Sequence, residues 1–293
     1  MKHELFSGVC TALVTPFLEG RLDLEALCEL LEIQVESGVS AICVAGTTGE
    51  CATLGEREFC RLVSYTVEKV NGRLPVVVGV GTPSTEHSCR RASFASAEGA
   101  DFLLAVTPYY NKGTSEGLVR HYHAIAEAGE LPVIVYNVPS RTGVDLDVPL
   151  YRRIAAHPGI VAVKEAGGGF ERLLELISEL GDQITVYTGN DQAILTAVAL
   201  GAKGAISVLS NVLPRETVEL TRAALDGRMA DAREMQYRLL PLVRALFAET
   251  NPAPVKCALE LCGLLSGELR LPLSPVSTEL RERIAFLLGL PLV

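Results

Sequence analysis

Basic clusters are missing from this sequence. The formal net charge is −9 with a pI near 5.2, and no basic run exceeds the pairs Arg90-Arg91 and Arg152-Arg153, so a nucleic-acid footprint is absent. An anionic membrane surface has nothing to hold either. No stretch reaches ~18 uninterrupted apolar residues, and the opening MKHELFSGVC has no long apolar run before a small-residue cleavage site. These absences predict a cytoplasmic protein. Eight cysteines stand at positions 10, 28, 43, 51, 60, 89, 257 and 262 without one Cys-x-x-Cys, which favours small buried hydrophobes in a reducing compartment.

Histidine is also sparse, at 3, 87, 121, 123 and 157, and no histidine ends a strand-like run. His121 and His123 flank Tyr122 on a helical stretch, where positions i and i+2 point apart, so a shared metal is not expected. There is no Gly-x-Ser-x-Gly elbow and no Walker loop; Gly79-Val-Gly81 is followed by Thr-Pro rather than the third glycine of a dinucleotide fingerprint. Lysine is the last scarcity. Only Lys2, Lys69, Lys112, Lys164, Lys203 and Lys256 stand among 26 basic residues, the rest being arginine.

What is present is a compact, enzyme-like chain of 293 residues, 48% hydrophobic and 21% charged. Eight short apolar, β-branched runs end in small or polar residues, beginning at Gly8, Ala41, Pro75, Phe102, Pro132, Val161, Thr185 and Gly204. Helical stretches separate them. In DLEALCELLEIQVESG, Leu24, Leu27, Leu30, Leu31 and Val35 share one face, with Asp23 as N-cap and closure at Gly38. Continuously apolar strands separated by helices predict a parallel sheet buried on both faces, and eight units predict an α/β fold of the (β/α)8 TIM-barrel kind. A doubly wound open sheet is the alternative, since periodicity does not reveal closure. Residues 1–228 are expected to form the barrel and 229–293 a C-terminal helical appendage.

In such a barrel the site lies at the C-terminal ends of the strands. There the sequence places Thr47 and Thr48, Tyr109 and Tyr110, Tyr136 and Arg141, Lys164, Gly189 and the segment after Ile206. Lys164, in VAVKEAGGG, is a lysine in an otherwise apolar strand. An amine stripped of water there has its charged form disfavoured, which suits a Schiff-base nucleophile. Two other readings stay open for it: a stem along the wall with its head reaching solvent, or a pair with Glu165. Adjacent strand residues face opposite ways, which weakens the second. Lys203 precedes its strand and belongs to the stability end. Tyr136 ends the strand before that of Lys164, where a phenol can carry the protons that carbinolamine chemistry moves.

At these residues the chain resembles the dihydrodipicolinate synthase family of pyruvate-dependent, class I aldolase-type lyases. The resemblance runs from ALVTPF to NPAPVKCALELCG and LRLPLSP, through GTTGE at Gly46, TPYYN at Thr107, YNVPSRTG at Tyr136 and VKEA at Val163. It implies an imine between Lys164 and pyruvate, with Tyr136, Thr47 and Tyr110 as a hydroxyl relay. It implies that Tyr110 comes from a neighbouring subunit, so that a dimer completes the site and a homotetramer, a dimer of tight dimers, is the assembly. Thr48 and the main chain at Ile206 would hold the pyruvate carboxylate, Gly189 would line the substrate pocket, and Arg141 would receive the carboxylate of L-aspartate 4-semialdehyde. No cofactor, metal or organic, is implied, because an imine does the carbon–carbon chemistry.

Sister enzymes that use the same pyruvate imine, such as N-acetylneuraminate lyase and the 2-keto-3-deoxy sugar-acid aldolases, are the alternative activity, and a catalytically silent binding barrel is the alternative class. Where lysine-inhibited relatives carry polar groups, this chain has Glu56, Phe59, Pro83 and His87. Phe59 and Pro83 offer no polar side-chain contact, so weak or absent lysine inhibition is expected.

Overall fold

The computed structural model describes residues 5–291; Lys2 and His3 lie outside them. Each of the eight apolar runs becomes a strand: β1 (Gly8–Ala12), β2 (Ala41–Val44), β3 (Val76–Gly79), β4 (Phe102–Val106), β5 (Val133–Asn137), β6 (Ile160–Glu165), β7 (Thr185–Thr188) and β8 (Gly204–Ser207). All pair in parallel with their sequence neighbours, and β1 also pairs with β8, with Gly8 opposite Gly204 and Thr11 opposite Ser207. The sheet is therefore closed, and the open alternative is excluded.

Crossover helices cover the outside: α1 (Leu24–Glu36), α2 (Glu56–Val70), α3 (Thr85–Ala97), α4 (Ser115–Gly129), α5 (Val148–Ile154), α6 (Gly169–Leu180), α7 (Ile194–Leu200) and α8 (Pro214–Leu225). Asp23 caps α1 by accepting the Ala26 N–H at 3.0 Å, and Gly38 takes a left-handed φ of 74° just past its end. The buried face of α1 differs in one respect from the leucine pattern. Gln34 is enclosed in it, accepting from Thr11 Oγ1 at 2.6 Å and donating to Ser210 O at 3.1 Å, so a polar clamp ties the helix to β1.

Three further helices follow: α9 (Met229–Leu246), α10 (Ala253–Leu261) and α11 (Thr278–Leu287). Helix α9 packs on α7, α8 and α11. A small antiparallel pair, Phe17–Leu18 with Arg21–Leu22, follows β1 and had no signal in the apolar pattern.

Alternation along the strands makes two apolar layers. Inward residues, among them Cys10, Cys43, Ile134, Tyr136, Ala162, Tyr187 and Ile206, fill the barrel, while outward ones such as Val135, Val163 and Val186 pack against the helices. Phe6 sits against the bottom of the inner layer, stacked 4.4 Å from Tyr187, whose hydroxyl donates to Phe6 O at 2.6 Å. The filled lower barrel leaves its upper end as the place for a cavity.

Candidate active site

The two-residue alternation that sends Ala162 inward sends Lys164 inward as well, and sends Glu165 to the helix side. On β5 the same parity puts Tyr136 inside and Asn137 outside, and the register sets Tyr136 opposite Lys164. Lys164, only 5% exposed, ends with Nζ 4.3 Å from the centre of the Tyr136 ring. Among the described residues no carboxylate lies within ion-pair distance of it. The thiols beneath are no counter-ions: burial raises Cys43 to about 12 and drives Cys10 well above its ordinary value. The amine is thus buried, flanked by an aromatic face, and unpaired.

Glu165 is occupied elsewhere. It accepts from Tyr151 Oη at 2.8 Å, from the Gly167 N–H at 2.6 Å and from Asn137 Nδ2 at 3.1 Å. Burial raises its carboxyl above the usual range, against the pull of those three donors. Because Asn137 and Glu165 each follow an inward-pointing site residue, their bond joins β5 to β6 directly behind the Tyr136–Lys164 pair. Neither residue had been singled out as a partner for the other, although the period-two pattern contains that relation.

Lys164 opens into a cavity of about 490 Å³ at the strand ends, walled by Thr47, Thr48, Tyr136, Arg141, Gly189 and Asn251 among others. Gly189 is there because the lysine needs its space: a Cβ at this position would lie 2.8 Å from Lys164 Cε and 2.8 Å from Ala166 Cβ. Thr47 and Thr48 sit on the loop between β2 and α2, flanked by Ala45 and Glu50, both with left-handed φ. Arg141 belongs to a single helical turn, Pro139–Thr142, and its Nη2 donates to the Asn251 carbonyl at 2.9 Å.

Asn251 was missed by the sequence reading. It stands between α9 and α10, its Nδ2 donates to Thr48 Oγ1 at 3.0 Å, and its Oδ1 is buried without a partner. The only signal was the NPAPVK stretch itself, where nothing local links Asn251 to Thr48. Asp191, also unanticipated, accepts the Val208 and Leu209 N–H groups at 3.0 and 2.9 Å and so fixes the turn after β8.

Two expected residues stand apart from the cavity wall. Ile206 is fully buried in the inner layer, and it is Val208, two residues on, that lines the cavity. Tyr110 is 93% exposed with φ 70°, and it lines no part of its own chain's cavity. Beside Thr47 lies a second, mainly apolar hollow of about 250 Å³ formed by Cys51, Val106, Tyr109, Val138 and Leu273.

No group of three metal-ligating side chains occurs among the described residues, and no described helix is long and apolar enough to cross a membrane. A closed eight-stranded barrel with one unpaired amine at its C-terminal mouth defines a lyase of the class I, Schiff-base kind. The sequence profile described as "Dihydrodipicolinate synthetase family" matches residues 5–289. A 4-hydroxy-tetrahydrodipicolinate synthase from Geotalea uraniireducens is 46% identical over 273 residues, 93% of this chain and 94% of that one. Solved structures agree: dihydrodipicolinate synthase from Thermotoga maritima superimposes with a TM-score of 0.95 at 44% identity over 98% of both chains. A monomeric dihydrodipicolinate synthase variant does so with 0.94 at 44% identity, covering 97% of this chain and 96% of the variant. The chain belongs to the dihydrodipicolinate synthetase family.

Proposed function

We propose that this chain is a cytoplasmic 4-hydroxy-tetrahydrodipicolinate synthase, joining pyruvate to L-aspartate 4-semialdehyde on the route to diaminopimelate and lysine. Lys164 Nζ adds to the pyruvate ketone, and loss of water gives the imine. A proton leaves the methyl carbon, and the resulting enamine forms the new carbon–carbon bond at the aldehyde carbon of the second substrate. The aldehyde oxygen takes up a proton to become a hydroxyl. The substrate's own amine then attacks the imine carbon, closes the ring and releases Lys164. One water is lost overall, and no external oxidant or reductant enters.

The observation that carries this reading is the unpaired amine of Lys164 over the Tyr136 ring at the cavity floor. Tyr136 is the proton carrier beside it, with Thr47 next in the relay. Thr48 holds the pyruvate carboxylate together with the main chain near Ile206, and Arg141 takes the carboxylate of the semialdehyde with its planar guanidinium.

Tyr110 would complete the relay from a second copy. Its nearly full exposure in one chain, and the hollow beside Thr47 with room for an aromatic ring, support a tight dimer; two such dimers form the tetramer. Reduction with borohydride in the presence of pyruvate, followed by peptide mass mapping, should place a reduced pyruvate adduct on Lys164. An adduct elsewhere, or none, overturns the reading. Offering N-acetylmannosamine beside aspartate semialdehyde should show condensation with the semialdehyde alone.

A further inference from the structure

Glu50 lies on the loop that carries Thr47 and Thr48, and its carboxylate is paired at 2.5 Å with Lys256 on α10, both side chains being shut off from solvent. Around this pair the chain is densely tied. Glu50 Oε2 accepts the Arg270 N–H at 3.1 Å, and Lys256 Nζ also donates to Glu268 O at 2.7 Å. The Phe17 ring carries Lys256 Nζ 4.3 Å and the Arg270 guanidinium 4.1 Å from its centre. Nothing in the condensation uses any of these groups.

A buried ion pair seldom adds stability over apolar side chains of the same volume, so its presence here asks for another reason. The loop supplies one. Ala45 and Glu50 hold φ of 52° and 54°, a region costly for residues with a Cβ and kept only where the surroundings dictate it. At the first of them Gly79 lets the backbone of β3 lie against the Ala45 carbonyl, where any Cβ would collide. At the second, the Glu50 side chain reaches Lys256 and the Arg270 N–H, beside the bond that Thr15 Oγ1 donates to the neighbouring Gly49 carbonyl at 2.7 Å. Thr47 and Thr48 are strung between these two points, and Asn251, five residues before Lys256, donates to Thr48 Oγ1 from the same C-terminal segment.

We propose that Glu50 and Lys256 are a positioning pair for the pyruvate site. They lock the left-handed turn at Glu50 so that Thr48 faces the substrate carboxylate, which makes segment 251–270 a working part of that site. The proposal rests on the reading of Lys164 as the imine-forming amine.

Borohydride trapping of pyruvate separates the two. In Lys256→Met the pyruvate concentration for half-maximal trapping should rise about tenfold, while the limiting yield on Lys164 stays near wild type, because the carboxylate seat moves and the amine does not. The paired variant Glu50→Gln/Lys256→Met, which buries no lone charge, should show the same split and replaces the single variant if that one does not fold. A pair with a purely structural role would lower the melting temperature and leave half-saturation of the folded enzyme alone. Half-saturation within about twofold of wild type in a folded variant overturns the positioning role. Absence of any adduct in the wild-type enzyme overturns instead the reading of Lys164, and the pair's role with it.

Discussion

Two lysines are buried in this barrel, and they are opposites. Lys256 has every need met, with a carboxylate, a main-chain carbonyl and an aromatic face around one ammonium. Lys164 has an aromatic face and an open cavity. Burial is common to both, so burial alone does not mark a nucleophile. What distinguishes them is the accounting of partners: Lys256 is held by a carboxylate and a carbonyl, whereas Lys164 faces the cavity with no counter-ion beside it among the described residues.

The strongest way to break that comparison is to replace each lysine by methionine. Lys164→Met should lower condensation by at least about a thousandfold, since the imine is lost outright, and should abolish pyruvate trapping. Its melting temperature should equal or exceed that of wild type, because an amine without an ion pair leaves the interior. A marked fall in stability would show that Lys164 is structural after all.

Lys256→Met should behave in the reverse way. It strands the Glu50 carboxylate in a site closed to water, which costs about 3–5 kcal/mol when one partner of a buried pair is removed. Denaturant unfolding monitored by circular dichroism measures this, and a loss below about 1 kcal/mol would place Lys256 among ordinary exposed pairs.

The sequence made one of these lysines legible and hid the other's meaning. The barrel could be read because eight apolar runs repeat with helices between them, and Lys164 stood out as a charged residue within one of those runs. Lys256 sits in a short helix whose residues Ala253 to Leu259 are all buried, and its partner is 206 residues away. Local periodicity is blind to such pairings. The same blindness hid Asn251, which reaches Thr48 across 203 residues. Tyr110 shows a different limit: its place in the motif was clear, but the chain turns its side chain outward, away from the cavity, which the motif does not reveal. For Ile206 the run of apolar letters does not show depth along the strand: its side chain fills the inner layer, and Val208 is the side chain that reaches the cavity.

A third buried base sharpens the comparison through pH. His121 is enclosed between α3 and α4, its Nδ1 bonded to Thr85 Oγ1 at 2.9 Å, and burial pushes it down to about 4. Its folded pKa is below the unfolded value near 6.5, so between the two the unfolded chain binds a proton that the native state refuses. The neutral ring therefore contributes stability that is present above pH 6.5 and lost as pH falls toward 4, about 3 kcal/mol in all. Unfolding free energies of wild type and His121→Gln measured from pH 7 to 4.5 should converge as the pH falls. Parallel curves would mean that His121 titrates normally.

The smallest expected effect is at Glu56 and His87, on the outer face of the barrel, where partner accounting predicts silence. His87 Nε2 lies 2.8 Å from Glu56 Oε2, and the guanidinium of Arg91 stands over the Phe59 ring at 4.5 Å with its Nε 3.9 Å from the same carboxylate. Glu56 is thus engaged from two sides, Phe59 is fully buried, and Pro83 gives no side-chain donor or acceptor. A free amino acid seeking polar side chains at these four positions would have to displace contacts already made. Initial rates with millimolar lysine should stay close to the lysine-free rate. Inhibition in the sub-millimolar range would show that satisfied groups can be recruited by a ligand, and that counting partners fails where a second copy of the chain reshapes the surface.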